Sequence, residues 1–217
     1  MTQKTTVVAV LNQKGGAGKT TIATNVASWL HADGQKTMLV DLDTQGSATD
    51  WADARDGDQE LCPVIRMGAG IVRDLRKLAH DNEWIIIDGA PQVSSLAVAA
   101  IKSADIVIIP TQPSPYDIWA CADLVDLIKD RQEIMEGKPH AAFLVSRAIK
   151  NTTLSSEILE ALKGYELPIM RSATTQKVDY PNTAKVGGSI VDLPKDNKAR
   201  LEIRAIANEL KEMREQL

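Results

Sequence analysis

The residues with the clearest chemical meaning lie near the N-terminus, in the segment NQKGGAGKTT at residues 12–21. Glycines in such a loop let backbone N–H groups turn inward around phosphate oxygens, and a following helix N-terminus adds partial positive charge. The lysine of a GKT sequence reaches the β- and γ-phosphates, and the threonine hydroxyl after it binds Mg²⁺, which makes Thr20 a metal ligand. The alternative is a glycine-rich turn without a ligand. The segment predicts a nucleotide site formed by Gly15, Gly16, Ala17, Gly18, Lys19, Thr20 and Thr21.

This loop departs from the usual phosphate-loop pattern and contains an additional lysine. Gln13 stands where the pattern begins with glycine, and Lys14 follows to give KGGxGKT. The motif resembles the deviant Walker A loop of the ParA/MinD superfamily. In that family the additional lysine crosses to the nucleotide of a partner subunit, where its charge acts on the transferring phosphoryl group as an arginine finger does. The resemblance implies catalytic roles for Lys14 and Lys19 and a homodimer that forms on ATP binding; the alternative for Lys14 is a surface lysine.

Two aspartates follow the second apolar segment, in DLDTQGS at residues 41–47. Alternation places Asp41 and Asp43 on the same side of an extended chain. The segment resembles the switch I sequence DxDPQG of the same family, with Thr44 where proline is usual. That resemblance implies that Asp43 is catalytic and orients the attacking water, and that Asp41 supports the Mg²⁺ shell. The alternative is a pair of turn aspartates, because aspartate favours turns.

A further aspartate ends the apolar run WIIID at residues 84–88. A carboxylate at the carboxyl end of a buried strand is the Walker B arrangement, in which it holds Mg²⁺, usually through water. Asp88 is therefore the third predicted metal-site residue, with Thr20 and Asp41. Gly89 follows it at a position where switch loops turn a backbone N–H towards the γ-phosphate.

Two later segments resemble parts of the family's base pocket. The loop IIPTQPSPYD at residues 108–117 implies a nucleotide contact by Pro113 and a share in the dimer seam. Its alternative is a rigid turn before a helix that Ser114 caps. The strand FLVSR ends at Arg147, which we expect to stack on the base.

The elements that must position these residues alternate between short β-rich runs and longer helical stretches. We predict strands at Thr6–Leu11, Lys36–Val40, Trp84–Ile87, Asp105–Ile109 and Ala141–Val145, a helix at Lys19–Ala32, a polar helix end and loop at residues 53–60, and a C-terminal helix at about residues 196–216. Near-continuous apolar strands joined by helices are typical of a parallel sheet buried on both faces. The expected fold is a single-domain α/β P-loop NTPase, residues 1–217, with a doubly wound, mostly parallel sheet and helices on both faces.

Composition narrows the class of protein. The chain has 217 residues, 44% of them hydrophobic and 25% charged, with a formal net charge of −4. DNA binding would therefore depend on a local basic patch or on dimerisation. Cys62 and Cys121 are far apart, which argues against a disulfide framework, a zinc site or an iron–sulfur cluster. With neither a signal peptide nor a transmembrane segment expected, we predict a cytoplasmic protein; the C-terminal helix mixes acids with bases and has no aromatic anchor, so no membrane partner is expected.

Within the superfamily, the sequence resembles the short plasmid-partition ParA proteins (ParF-like), which have no N-terminal helix-turn-helix domain. The resemblance implies ATP and Mg²⁺ as cofactors, non-specific double-stranded DNA and a small centromere-binding (ParB-like) protein as partners, and a nucleoid-associated location. Longer relatives carry a DNA-contacting arginine where this chain has Gln176. The candidate DNA-binding residues are Arg171, Lys177, Lys185, Lys198, Arg200 and Arg204, although each is alternatively a solvated surface charge.

Together these expectations predict a partition ATPase. A partner protein would stimulate its ATP hydrolysis, and this hydrolysis would drive plasmid or chromosome segregation. Two other functions remain open. A division-site or carboxysome positioning ATPase would use the same chemistry on another cargo. A metabolic ATP-dependent ligase of the same fold would need additional substrate-binding residues.

Overall fold

The computed structural model describes residues 5–55, 62–68, 70–91, 94–148 and 154–217, and for residues 76 and 154–158 it describes the backbone alone. Within these residues the chain alternates between strands and helices, as the sequence predicted.

Six strands form one sheet in the order β3-β2-β4-β1-β5-β6, and every neighbouring pair is parallel. The five predicted strands are present, and their ends differ from the prediction by at most two residues. The third strand was not predicted, because it has three residues and two of them are exposed. The strands are β1 (Thr6–Val10), β2 (Thr37–Asp41), β3 (Val64–Arg66), β4 (Trp84–Asp88), β5 (Ile106–Thr111) and β6 (His140–Val145).

Helices cover both faces of the sheet, which confirms the predicted fold class. One apolar cluster lies between the sheet and the helices α1 and α9, and a second lies under α3, α4 and α6. Alternate residues of the five strands other than β3 enter opposite clusters, which explains why those strands are mostly apolar. The helices are α1 (Lys19–Ala32), α2 (Ser47–Asp53), α3 (Ile71–Leu78), α4 (Ser95–Ser103), α5 (Pro115–Trp119), α6 (Ala122–Ile134), α7 (Leu154–Lys163), α8 (Asp179–Ala184) and α9 (Lys198–Arg214).

The topology brings the predicted site together at the carboxyl ends of the central strands. The phosphate loop follows β1, which lies between β4 and β5. In register, Val10 is opposite Asp88, and Asp88 is opposite Asp41. Ligands of open α/β sheets bind at this edge, where successive strands diverge to either side.

The C-terminal helix α9 begins after Asn197, whose side chain accepts hydrogen bonds from the N–H groups of Ala199 and Arg200. Its buried residues Ile203, Ile206 and Leu210 pack in the same cluster as α1. The predicted loop at residues 53–60 is only partly visible: α2 ends at Asp53, and residues 56–60 lie outside the described residues. Of the helices described, none combines the length and the apolar character that crossing a membrane requires.

Candidate nucleotide site

The loop between β1 and α1 has the backbone shape of a phosphate cradle. Gly16 has φ 77° and Gly18 has φ 98°, both in the left-handed region that glycine adopts without a steric penalty. Gly15 and Gly16 are exposed, and Ala17 is buried beneath them. The helix α1 begins at Lys19, so its free N-terminal amide groups face the same end of the loop.

Side chains from the neighbouring strand ends hold the carbonyl groups of this loop. Gln112 donates from Nε2 to the Gly16 carbonyl at 2.7 Å, and the buried Ser146 hydroxyl donates to the Ala17 carbonyl at 2.7 Å. No acceptor within the described residues bonds the amide N–H groups of residues 15–19. These amides are therefore available to an anion, which is the property of a phosphate-binding nest.

Lys19 lies inside the site rather than on the surface. Its side chain is buried, and its ammonium donates to the Lys14 carbonyl at 3.2 Å. Burial lowers the pKa of this ammonium, and the carboxylates of Asp88 and Asp43 act in the opposite direction. Thr20 and Thr21 follow in the first turn of α1, both half-buried.

Asp88 is a fully buried carboxylate, and in the described chain neither oxygen has a hydrogen bond of normal geometry; the Thr20 hydroxyl acts on it only as a weak donor. Burial raises its pKa to about 7; the negative charges of Asp41 and Asp43 add to this, while the Thr20 hydroxyl and the Lys19 ammonium oppose it. Buried carboxylates are normally paired or bound to a metal. A cation next to Asp88 would supply the missing partner.

The loop after β2 is organised around Asp41. One Asp41 oxygen accepts the N–H of Asp43 at 3.1 Å, and the other accepts both the N–H (2.8 Å) and the hydroxyl (2.7 Å) of Thr49. Asp43 accepts the N–H of Gln45 at 2.9 Å, and the φ of Gly46 is 73°. Asp41 thus ties the loop to α2, and Asp43 lies on the tied loop.

Gly89 lies where a side chain would be crowded. A Cβ built at this position would lie 2.2 Å from Leu11 Cδ2 and 3.0 Å from the Val10 carbonyl oxygen. The backbone after Asp88 consequently passes directly against the start of the phosphate loop. The N–H of Gly89 donates to the Val10 carbonyl at 3.2 Å.

Lys14 is held by a carboxylate of its own chain. Its ammonium lies 2.6 Å from Asp117 Oδ2; the Lys14 side chain is 39% exposed, whereas that of Asp117 is 5% exposed. The second oxygen of Asp117 is buried and has no hydrogen-bond partner within the described part of the chain. Asp117 lies on α5, immediately beside the phosphate loop.

Comparison with known proteins agrees with this geometry. Residues 8–215 match the family described as CbiA, the CobQ/CobB/MinD/ParA nucleotide binding domain. The chain belongs to this family. It is therefore a nucleotide-binding domain of the ParA/MinD type, as the resemblance in the sequence indicated.

Curated relatives of this ParA/MinD domain include positioning and partition proteins. The chain is 26% identical over 211 residues to Maintenance of carboxysome distribution protein A of Halothiobacillus neapolitanus, covering 95% of this chain and 97% of that protein. It is 30% identical over 207 residues to the protein of the same name from Gloeobacter kilaueensis, covering 94% and 93%. It is 28% identical over 191 residues to Protein ParA of Rhizobium radiobacter, covering 85% and 84%.

Solved structures share the fold over nearly the whole ParA/MinD domain. A Cyanothece McdA variant in complex with ATP superposes with TM-score 0.79 at 14% identity, covering 95% of this chain and 96% of that one. Cobyrinic acid a,c-diamide synthase from Mycobacterium smegmatis, with a bound ATP analogue and magnesium, gives TM-score 0.76 at 24% identity, covering 95% and 94%.

A separate cavity of about 200 Å³ lies beside the phosphate loop of this ParA/MinD domain, and Gly18, Thr21 and Arg147 are among its lining residues. Arg147 has φ 53°, which is uncommon outside glycine, and its N–H donates to the Thr174 hydroxyl at 3.2 Å. Arg147 therefore lines a cavity beside the phosphate loop, and its contact with a base stays a prediction. Pro113 is half-buried and does not line it.

Three of the six predicted DNA-binding residues already bind other groups of the chain: Lys177 and Arg171 pair with carboxylates, and Arg200 with backbone carbonyl groups. Lys177 is 2.5 Å from Glu202, and its side chain is only 15% exposed. Arg171 forms ion pairs with Glu209 and Glu212. A phosphate contact by either residue would compete with these carboxylates.

The guanidinium of Arg200 donates to the carbonyl groups of Val191 and Leu193 and lies 5.7 Å from the centre of the Trp29 ring. Arg204 lines the same surface groove of about 280 Å³ as Arg200. The remaining two candidates, Lys185 and Lys198, are exposed.

Several residues that shape the site received no role in the sequence prediction. The side chain of Asn12 donates to the Pro110 carbonyl at 2.7 Å and accepts the N–H of Lys14 at 2.8 Å. Asp117, Gln112 and Ser146 lay within segments that resembled the family, but nothing in their spacing indicated which atoms they would hold. Thr49, the partner of Asp41, carried no signal.

Proposed function

We propose that this chain is an ATPase switch that hydrolyses ATP to ADP and phosphate and forms a nucleotide-sandwich homodimer when it binds ATP. One observation carries the proposal: a second lysine, Lys14, stands at the phosphate loop but pairs with Asp117, while Lys19 occupies the interior of the site. The site therefore has one lysine for its own phosphates and another, partly exposed, that can serve elsewhere.

The residues fit a magnesium nucleotide. The hydroxyl of Thr20 and the unpartnered carboxylate of Asp88 would hold Mg²⁺, with Asp41 behind them. No group of three or more His, Cys, Asp or Glu side chains in the described chain could bind a metal without help. This agrees with Mg²⁺ chemistry, since this ion usually takes one or two carboxylates together with substrate phosphates and water. When bound, the ion neutralises charge on the phosphates.

The protein's own contribution to hydrolysis is positioning. The amides of residues 15–19 and Lys19 bind the phosphates, and Asp43 orients a water molecule. The water oxygen forms a bond to the γ-phosphorus as the bond to the β,γ-bridging oxygen breaks, giving ADP, phosphate and a released proton. Such reactions depend on alignment and on electrostatic stabilisation more than on covalent chemistry.

For Lys14 to act on a partner's nucleotide, it must leave Asp117. The phosphoryl charge of ATP offers more negative charge than one carboxylate, so the exchange is favourable when ATP is present and less so with ADP. Dimerisation would then follow the state of the nucleotide.

The cellular role that we propose is ParA-like, cytoplasmic and nucleoid-associated: the ATP dimer binds non-specific DNA, and a small ParB-like protein on the cargo stimulates hydrolysis. Plasmid or chromosome partition is one such role, supported by the ParA relative. Carboxysome positioning is the second candidate, favoured by two relatives that the chain covers almost completely. DNA binding should weaken steeply with added salt because it releases counterions.

The test measures mass in solution and turnover together. With ATP, and with Asp43→Ala to block hydrolysis, light scattering should give twice the monomer mass, and Lys14→Ala should return it to the monomer. In the otherwise wild-type chain, Lys14→Ala should lower kcat by about 10³–10⁵-fold, as loss of an arginine finger does. Lys36→Ala is the matched control, because Lys36 is exposed at the opposite edge of the sheet.

If the wild-type chain and the Asp43→Ala variant both stay monomeric with ATP, the proposal is wrong. Turnover that depends on a small carboxylic acid rather than on DNA and a protein partner would favour the metabolic ligase instead. The cargo is tested separately, by deleting the gene and following plasmid loss and carboxysome spacing.

A further inference from the structure

Two glutamates of the C-terminal helix α9 hold a segment of the chain that lies outside the helices and strands. Glu202 and Glu209 are seven positions apart and therefore lie on the same side of the helix. Their side chains are only 14% and 12% exposed. Each carboxylate accepts backbone N–H groups from residues 171–177. The two glutamates thus make the same kind of contact to different parts of one segment.

Glu202 accepts hydrogen bonds from four donors of the described chain, two on each oxygen. Its Oε1 accepts the Thr175 hydroxyl at 2.6 Å and lies 2.5 Å from the Lys177 ammonium. Its Oε2 accepts the N–H of Thr175 at 3.2 Å and the Tyr180 hydroxyl at 2.9 Å. Burial raises the pKa of Tyr180, and the negative charge of Glu202 raises it further, so this hydroxyl remains a donor. One carboxylate therefore fixes three residues.

The three residues that Glu202 holds all line the cavity of about 200 Å³ beside the phosphate loop. Gly18 and Thr21 line the same cavity from the loop and from the first turn of α1. A nucleotide whose phosphates lie on the loop would have its ribose and base next to this cavity. Glu202 thus acts on the surroundings of the base without lining the cavity itself.

Glu209 makes the equivalent contact to residues outside this cavity. Its two oxygens accept the N–H of Arg171 at 2.8 Å and the N–H of Ser172 at 2.9 Å. Neither of these two residues lines the cavity beside the phosphate loop. The two glutamates therefore share a helix, a degree of burial and a type of hydrogen bond, and differ in the location of the residues that they hold.

The backbone next to Glu202 is fixed in a way that leaves two carbonyl groups free. The N–H of Ala148 donates to the Thr174 carbonyl at 2.8 Å, and the N–H of Gln176 donates to the Ala148 carbonyl at 3.2 Å. Among the described residues, nothing donates to the carbonyl groups of Thr175 and Gln176. A carbonyl group can accept the amino group of adenine, whereas guanine carries an oxygen acceptor at the same position.

We propose that Glu202 is a positioning residue for the base of the nucleotide: it holds the loop at residues 174–177 in the shape that accepts adenine. This inference rests on the proposed function, in which ATP lies on the phosphate loop, and adds the residue through which the site selects the base. Ala199 and Ile203, on the same helix, are fully buried in the core. Glu202 therefore ties the loop to a rigid part of the molecule, as precise binding sites require.

The experiment separates recognition of the base from recognition of the phosphates. Calorimetric titration measures Kd for three probes, each with Mg²⁺: a non-hydrolysable ATP analogue, the corresponding GTP analogue and inorganic tripolyphosphate, which has no base. All titrations use the Lys14→Ala chain, so that dimerisation does not contribute to the measured affinity.

In that chain, Glu202→Gln should raise the Kd of the ATP analogue at least about tenfold. The amide NH₂ that replaces one oxygen would face either the Lys177 ammonium or the N–H of Thr175, and neither can accept a hydrogen bond. The Kd of tripolyphosphate should change less than about twofold. The ratio of the GTP Kd to the ATP Kd should fall at least about threefold, which a general loss of stability would not cause.

Glu209→Gln is the matched control, because it makes the same chemical change on the same face of the same helix. It should leave all three Kd values within about twofold of the parent chain. Tyr180→Phe is the milder variant, and it decides the question if Glu202→Gln does not fold. It removes one hydrogen bond to Glu202 and should raise the Kd of the ATP analogue about threefold, with tripolyphosphate unchanged.

The outcomes separate this inference from the proposed function. If the chain binds no ATP analogue, with or without Lys14→Ala, the proposed function is wrong and this inference fails with it. If the analogue binds and Glu202→Gln or Tyr180→Phe behaves as Glu209→Gln does, only the inference is overturned. Equal losses of affinity for the ATP analogue and for tripolyphosphate would mean that Glu202 supports the whole domain, which also overturns it.

Discussion

Two carboxylates at the same edge of the sheet have opposite surroundings. Asp41 and Asp88 are register partners on the adjacent strands β2 and β4, and both are fully buried. Asp41 accepts three hydrogen bonds, from Asp43 and from both donors of Thr49. Within the described structure Asp88 accepts none of normal geometry.

The difference shows how one sheet edge provides both a scaffold and a reactive group. The parallel register places the two carboxylates side by side, and the loops that follow the strands decide their roles. After β2 the chain folds back and satisfies Asp41 with its own backbone. After β4 the chain passes Gly89 against Leu11 and leaves Asp88 without a donor from the described part of this loop. A carboxylate that accepts hydrogen bonds from its own chain organises a loop, whereas a buried carboxylate without a donor is stabilised by binding a cation.

The strongest test of this contrast is removal of the Asp88 charge. Asp88→Asn should lower Mg²⁺-dependent ATP hydrolysis by about 10³-fold, because an amide is a poor ligand for Mg²⁺ and cannot balance its charge. Colorimetric phosphate release at saturating ATP measures it. Asp53→Asn, at an exposed aspartate, is the control. Hydrolysis within tenfold of wild type would assign the metal to another residue.

The second test uses the same variant without metal or nucleotide. Burial raises the pKa of Asp88 from 3.8 to about 7, so the folded chain holds this proton more tightly than the unfolded chain. The stabilisation that protonated Asp88 gives is complete below the pKa of this residue in the unfolded chain. It is lost as pH rises through the pKa of this residue in the folded chain. In EDTA at about pH 8, Asp88→Asn should be more stable than wild type by roughly 4 kcal/mol, at about 1.4 kcal/mol per pKa unit.

Denaturant unfolding across this pH range measures the effect. The advantage of Asp88→Asn should shrink steadily from about pH 7 towards the unfolded pKa. An advantage of constant size would mean that the substitution acts through packing rather than through charge.

Removal of the Asp41 charge should lower the free energy of unfolding, whereas removal of the Asp88 charge should raise it. In Asp41→Asn an amide NH₂ replaces one oxygen, so a donor faces donors of Asp43 or Thr49, which costs about 2–3 kcal/mol of unfolding free energy. Urea unfolding in EDTA measures it, again beside Asp53→Asn. Equal effects of Asp41→Asn and Asp88→Asn on metal-free stability would remove the contrast between the two sites.

The smallest effect is expected at Thr49, which supplies two of the donors to Asp41. Thr49→Ala removes the hydroxyl but keeps the N–H, so it should cost about 1 kcal/mol, and Thr49→Ser should recover most of that loss. The urea midpoints of the two variants measure these losses of stability. A loss in Thr49→Ser as large as in Thr49→Ala would point to the methyl group instead.

The sequence predicted those parts of this site that depend on local patterns. The glycines and Lys19 follow a strand and begin a helix, and Asp88 ends an apolar run, so each position is defined by its neighbours in the chain. The strand β3 was missed because two of its three residues are exposed and give no apolar run.

The partners of these residues could not be predicted, because they come from distant parts of the chain. Lys14 and Asp117 are 103 positions apart, and Ala17 and Ser146 are 129 apart. Periodicity contains no information about such contacts. Even Thr49, eight positions from Asp41, depends on how one loop folds back.

The hydrogen bonds that Gln112 and Ser146 make to Gly16 and Ala17 have a consequence for exchange of the nucleotide. They shape the cradle through the ends of β5 and β6, so the entropy of ordering it is lost when the chain folds and not each time a ligand arrives. In the ATPase switch that we propose, ATP would then replace ADP without the loop first having to be rebuilt. The slow step of that switch would lie elsewhere, in the separation of the subunits or in the cleavage of ATP.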